Sequence, residues 1–158
     1  MADQKPVVPE LSMPALLRHA RTTYGAAMRK ALEDAGYDDV PKNGLYVIGG
    51  LAMDLDEVPL GQLIRELRIS KQAAGQLVDA LVMRGYLERT MDPKDRRKLT
   101  IMLTERGRAA AQTQAAARRK IDEELLRLVG EEHVVSTRRT LAALIDMGCA
   151  SEEDSDES

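Results

Sequence analysis

The chain's 158 residues suit one small domain or two and exclude a large multidomain enzyme, and the single Cys149 excludes an internal disulfide. Apolar residues make up 44% of it, yet Phe and Trp are absent and the four Tyr are the only aromatics, so the core must come from Leu, Ile, Val, Ala and Met. The net charge of −3 hides an asymmetry: Val58 to Arg108 carries eleven Lys/Arg against six Asp/Glu, a surplus of 5, while five acids fall in the terminal "SEEDSDES", the layout of a basic binding surface between acidic ends.

Residues 1–10, with two prolines, read as an extended arm. From about Leu11 to Ala35, Leu16, Leu17, Ala20, Tyr24, Ala27, Met28 and Ala31 follow helical spacing. "AGYDDVPKNG" breaks that helix, and a second is expected from about Lys42 to Met53, weakened by Gly49 and Gly50 by roughly 1 kcal/mol each. A third short helix, entered through "EVPLGQL", carries the stripe Leu60, Leu63, Ile64 and Leu67. Val58 is a poor N-cap for it, although Pro59 suits a first turn. After a tight turn, Ser70 is a good N-cap for a fourth helix whose buried face is Ala74, Leu77, Val78 and Leu81, and Gly85 ends it. Two short helices joined by so short a turn are a helix-turn-helix.

The next segment, "MDPKDRRKLTIMLTERG", places six charges in its first eight positions and then alternates. Tyr86–Met91 and Lys98–Leu103 read as a hairpin, with Leu99, Ile101 and Leu103 facing the core and the loop at 92–97 forming a cationic tip. Thr104 is the next N-cap, with Glu105 in the first turn, and an Ala-rich helix runs to about Val129, roughly 39 Å long. A helix of that length has to pack on more than the small domain it leaves. Gly130 interrupts it, a last helix through Val134, Leu141, Leu144 and Ile145 is expected to end before Gly148, and residues 149–158 read as an acidic, disordered tail.

A helix-turn-helix followed by a hairpin with a cationic tip is a winged helix, so the fold class is mainly α, with an α+β winged helix-turn-helix over 42–103. The major groove of B-DNA admits the second helix of the motif, while a thin hairpin carries cations to phosphates or into the minor groove. Ser70, Lys71, Gln72, Gly75 and Gln76 are the candidate contacts on that helix. Gln72, Gln76, Asp79 and Met83 share its outer face, and Gln72 and Gln76 are the candidate base readers because Gln pairs bidentately with adenine. Gly75 either admits close backbone approach or is a plain helix weakness. Asp79 would repel phosphate, so it is expected to pair with a nearby Arg. Lys94, Arg96, Arg97 and Lys98 are the candidate wing contacts.

Leu60 to Gly107 resembles the winged-helix core of the multiple-antibiotic-resistance regulator (MarR) family. "DPKDRRKLTIMLTERG" matches the family's D-P-x-D-R-R run followed by a strand and L-T-x-x-G, and "LVDALVMRGYLER" matches the segment before it more loosely. The resemblance implies a homodimer in which the helices of 11–41 and 104–148 interleave as a dimerisation region, each protomer offering one winged helix to half of a pseudo-palindromic operator. It implies that a wing arginine, Arg96 or Arg97, enters the minor groove, held by Asp92 or Asp95. It also implies repression relieved by a small, often anionic aromatic effector bound in a cleft. His19, Arg21, Tyr24 and Tyr46, on the first two helices, are the candidates to line it; the competing reading makes the tyrosines packing residues and the other two surface groups.

The resemblance breaks where relatives carry Thr or Ser and then Arg near Ala73, Gly75 and Gln76; this helix is poor in base-directed donors. A winged-helix protein-interaction module that does not read DNA is therefore the alternative. No Gly-rich phosphate loop, nucleophile beside a His or paired carboxylates in an apolar setting point to an enzyme. His19, His133 and Cys149 match no metal-ligand spacing, and no cofactor is implied. With no window near the roughly 18 apolar residues of a membrane span and no export signal, a cytoplasmic protein is expected.

Overall fold

The computed structural model describes residues 11–53, 57–59, 65, 69–92, 94–97 and 99–156. Helix α1 spans Met13–Asp34, α2 Gly44–Met53, α3 Lys71–Met83, α4 Glu105–Val129 and α5 Glu131–Asp156; the strands are β1 Glu57–Pro59, β2 Leu87–Met91 and β3 Leu99–Leu103. Of the predicted third helix only Arg65, itself helical, falls among the described residues; the stripe Leu60, Leu63, Ile64 and Leu67 lies outside them, as do residues 1–10, Pro93 and Lys98. The described residues pack as two units, one up to Arg118 and one from Arg119.

In the first unit α2 is the central element. Leu45, Val47, Ile48 and Leu51 are all buried, which leaves the helix apolar around most of its circumference, as a core helix must be. Met28 and Leu32 of α1, Val78 and Leu81 of α3, Tyr86, Leu87, Ile101 and Leu103 of the hairpin and Ala110, Ala111 and Ala117 of α4 close around it. Each large side chain removed from water there stabilises the fold by about 1.5–3 kcal/mol. The alanines act through size: they let α4 lie close to α2, and there the buried Gln114 donates from Nε2 to the Leu45 carbonyl at 2.9 Å.

Helix α3 begins and ends where its sequence dictates. The Ser70 hydroxyl accepts from the Ala73 amide at 3.1 Å. At the other end Gly85 takes φ +74°, its amide donating to Val82 and that of Tyr86 to Leu81, a Schellman closure that only glycine enters without strain. The chain then turns directly into β2.

The sheet has three antiparallel strands in the order β1-β3-β2, one more than the hairpin read from the sequence. Residues 57–59, expected to lead into a helix, pair instead with Thr100–Met102. Pro59, having no amide proton, suits this short edge strand. The inward alternation of β3 holds for Ile101 and Leu103 only. Leu99, nearest the hairpin tip, reaches past the core and is 47% exposed, opposite Met91. Thr100 is 4% exposed, and its hydroxyl meets that of Thr90 at 2.6 Å, so its burial leaves no polar group unpaired.

Helix α4 starts against the end of α3. The Thr104 hydroxyl caps it, accepting from the Gly107 amide at 3.0 Å and donating to the carbonyls of Gly85 and Tyr86. Gly107 lies so close to this turn that a Cβ on it would fall 2.1 Å from the Tyr86 carbonyl oxygen. Alongside, the buried Tyr86 hydroxyl donates to the Asp39 carboxylate, and Arg106 donates to both, at 3.0 Å to Tyr86 and 3.1 Å to Asp39.

In the second unit Gly130 (φ +82°) separates the end of α4 from α5. Helix α5 continues through Gly148 to Asp156, where a helix end and a disordered tail were expected. Gly148 is not among the positive-φ glycines, and a helical glycine costs only about 1 kcal/mol, too little to stop a proline-free run.

Two measurements test this packing. Gly107→Ala should cost about 3 kcal/mol, since its neighbour is backbone and cannot rotate away. That is a fall in Tm of roughly 6–12 °C. Gly50→Ala, whose Cβ meets nothing within 4 Å, should leave Tm unchanged or raise it, and equal effects of the two would refute the close approach. Burial, and then the Asp39 carboxylate, push the Tyr86 hydroxyl up to about 12 from its usual 10. A raised folded-state value means stability that is complete below pH 10 and lost as the pH climbs towards 12. A profile of Tm against pH should show this alkaline loss, reduced in Tyr86→Phe; identical profiles would contradict it.

Candidate nucleic-acid interface

The face of α3 turned away from the core carries Lys71, Gln72, Gln76, Asp79 and Met83, all exposed, with Met83 at 88%. The helical period produces this arrangement: Ala74, Val78 and Leu81 are held inward, with Leu77 packed half-buried beside them, so positions 72, 76, 79 and 83 point out. A Cβ on Gly75 would meet nothing within 4 Å, so the backbone of α3 is open there. Asp79, expected to pair with an arginine, forms an ion pair with Arg89 of β2. Arg89 is absent from the residues read from the sequence. Its signal was there, a lone cation ten positions after the aspartate and on the strand that follows the helix.

At the hairpin tip Lys94, Arg96 and Arg97 are exposed. Asp92 and Asp95 act differently from the reading in which they hold a guanidinium. The Asp92 carboxylate accepts from the backbone amide of Lys94 at 2.7 Å, and that of Asp95 from the amide of Arg97 at 3.1 Å. These are Asx turns, which shape the loop's main chain and leave the two arginine side chains unpaired among the described residues. Lys98 lies outside those residues. Ser70 acts here as the N-cap of α3.

Between α1 and α2 lies a pocket of about 450 Å³ lined by Arg18, Arg21, Arg29, Lys42, Leu45 and Tyr46, among others, with no acidic side chain in its wall among the described residues. The Arg21 guanidinium stacks 4.3 Å above the Tyr46 ring. Of the four residues proposed from sequence for an effector cleft, Arg21 and Tyr46 line it, whereas His19 is an exposed neighbour and Tyr24 turns to the core. Helix geometry explains the split: 18, 21, 22, 25 and 29 form one stripe of α1, and 24, 28 and 32 form the next. Arg18 and Arg29 on α1 and Lys42 in the turn before α2 were missed because a surface charge reads as solvated until a second segment faces it. A second cavity, of about 320 Å³, opens between α2 and α4 beside Met53, Leu103, Arg108, Gln114 and Arg118.

Among the described residues no group of three or more His, Cys, Asp or Glu is placed to hold a metal, and no helix is long and apolar enough to cross a membrane.

A model of the MarR family matches residues 40–98, the stretch that contains α2, β1, α3, β2 and the hairpin loop up to the start of β3. An uncharacterized HTH-type transcriptional regulator, YwhA, of Bacillus subtilis is 31% identical over 134 residues, covering 82% of this chain and 90% of its own. The apo crystal structure of MarR from E. coli superposes with a TM-score of 0.64 at 17% identity, over 86% of this chain and 98% of that one. The structure of FabT from Streptococcus pneumoniae in complex with DNA does so with a TM-score of 0.71 at 18% identity, over 85% and 94%. These two show a shared winged-helix fold, and the identity to YwhA carries the relationship further: the chain belongs to the MarR family of transcriptional regulators and is not an enzyme.

Proposed function

We propose that the chain is a sequence-specific, double-stranded DNA-binding regulator that acts as a homodimer in the cytoplasm and represses until a small anionic or aromatic effector binds. The observation that carries the reading is the pairing of an outward α3 face bearing Gln72 and Gln76 with a hairpin tip where Lys94, Arg96 and Arg97 are exposed and two aspartates shape the backbone. On this reading α3 lies in the major groove with Gln72 and Gln76 at base edges, Lys71 lies beside phosphates, and Lys94 and Lys98 hold the wing to the backbone while Arg96 or Arg97 reaches the minor groove. A fold shared with FabT, solved on DNA, supports it.

The dimer is supported by apolar surface that one chain leaves uncovered. Leu125, Leu126, Leu128, Val129, Leu144 and Ile145 of the second unit are exposed, more large apolar groups than a stable monomer keeps in water. Leu11 and Met13 at the start of α1 are exposed as well. The effector reading rests on the pocket between α1 and α2, where Arg18, Arg21, Arg29 and Lys42 favour an anion and Tyr46 offers a ring to stack on.

Duplexes enriched from a random pool supply the test. Arg96→Ala or Arg97→Ala should weaken every duplex and lower the slope of log affinity against log salt by about 1 per lost phosphate contact, whereas Gln76→Ala should change preference at particular base pairs and leave the slope alone. If no duplex binds at any salt, the molecule is a protein-interaction module instead. For the pocket, a panel of phenolic acids should contain members that raise Tm, an effect reduced by Arg21→Ala; a shift that persists in Arg21→Ala places their site elsewhere.

A further inference from the structure

The connection between α1 and α2 holds the far end of the recognition helix. Arg84, the C-cap of α3, donates from its guanidinium to the Asp39 carbonyl oxygen. The Asp39 carboxylate accepts from the Tyr86 hydroxyl, two residues beyond that cap, and from Arg106 in the first turn of α4. The Arg106 guanidinium also stacks over the rings of Tyr86, at 4.7 Å, and Tyr37, at 5.6 Å. Asp39 is kept in place by its own neighbours, because Arg29 of α1 donates to the carbonyls of Val40 and Lys42 at 3.3 and 2.7 Å.

Asp39 and Arg106 side chains are 41% and 44% exposed, so as an ion pair in water they add little to stability. What the contacts supply is an angle. From Arg84 back to Gln72 the helix is about 18 Å long, and a tilt of about 5° at its fixed end moves Gln72 by about 1.6 Å. Bidentate contact with a base edge tolerates about 0.5 Å. The helix therefore needs its C-terminal end held from outside itself, and the Asp39 contacts do this through Arg84 at the cap of α3, Tyr86 just before β2 and Arg106 of α4.

We propose that Asp39 is a positioning residue for DNA recognition: it touches no DNA and sets the angle at which α3 and the wing are presented together. The proposal rests on the DNA-binding reading above.

The test uses the full chain and a duplex enriched by the wild type, with Asp39→Ala, Tyr86→Phe and the double variant measured against that duplex and a scrambled one over a salt series. Each single variant should bind the enriched duplex roughly tenfold more weakly. The double variant should lose little more, because the two share one hydrogen bond. Affinity for the scrambled duplex and the salt slope should stay at wild-type values, since no phosphate contact is removed, and circular dichroism should show unchanged helix content. Tyr86→Phe keeps the buried ring, so it answers the question even if Asp39→Ala unfolds. Unchanged discrimination between the duplexes in Tyr86→Phe overturns the proposal, and so does an equal fall on both. A wild-type chain that enriches no duplex overturns the DNA-binding reading itself, and this proposal with it.

Discussion

The first turn of α4 lies against the carbonyl of Tyr86, and the rest of the winged helix is arranged around that contact. Gly107 permits it, because a side chain there would occupy the carbonyl's own position. Thr104 secures it, bonding to Gly85 and Tyr86 with the same hydroxyl that caps the helix. One side of the joint is the end of α3 and the start of β2; the other is the end of β3 and the start of α4. The end of α3, the hairpin and the first turn of α4 therefore meet at one joint, and a wing whose strands begin and end there keeps a defined position beside the helix it accompanies.

The charges on this body divide into two kinds with different work. Asp92, Asp95 and Asp79 are acids on a surface read as facing a polyanion, which would weaken binding were they not engaged. Two of them accept backbone amides and give the tip its shape, and the third neutralises Arg89 and ties the hairpin to the side of α3. Lys94, Arg96 and Arg97 stay exposed, with no acidic partner for their side chains among the described residues. The cations of the pocket between α1 and α2 stand on the opposite footing, lining a concave wall that holds no acid among the described residues. Arg29 belongs to that wall and also holds the loop from which Asp39 reaches the cap of α3, so the pocket and the winged helix share a segment of chain.

The absence of Phe and Trp has consequences throughout. Alanine and glycine at the contact of α2 with α4 let backbones approach where larger proteins would place rings, and the buried rim of that contact admits a polar Gln114 held by the Leu45 carbonyl. A core of this kind gains its density from closeness rather than from large side chains. The second unit carries no such core of its own among the described residues: most of its leucines and valines are exposed, with Val134 and Leu141 half-buried.

Much of the molecule was legible from the sequence because much of it is local. The Ser70 cap, the Gly85 and Gly130 breaks, the helical stripe of α3 and the winged-helix order depend on residues within a turn or two of one another, and the D-P-x-D-R-R run marked the wing outright. Other features were not legible for physical reasons that differ case by case. Strand β1 has only three residues, and its pairing with β3 is visible only once β3 is in place. Leu99 and Thr100 exchange the burial expected of them because the core's edge, not the pleat, decides which side chains reach it. Gly148 looked like a stop and is not one, since a glycine ends a helix only where the chain takes φ above zero. The sequence by itself determined the order of the main helices and the hairpin and where the cations gather, since caps, periods and charge runs act through near neighbours. Only the tertiary structure decided that Asp39 meets Tyr86 and Arg106, 47 and 67 positions away, and that Arg21 lies over Tyr46, because such pairings exist only after packing has brought distant segments together.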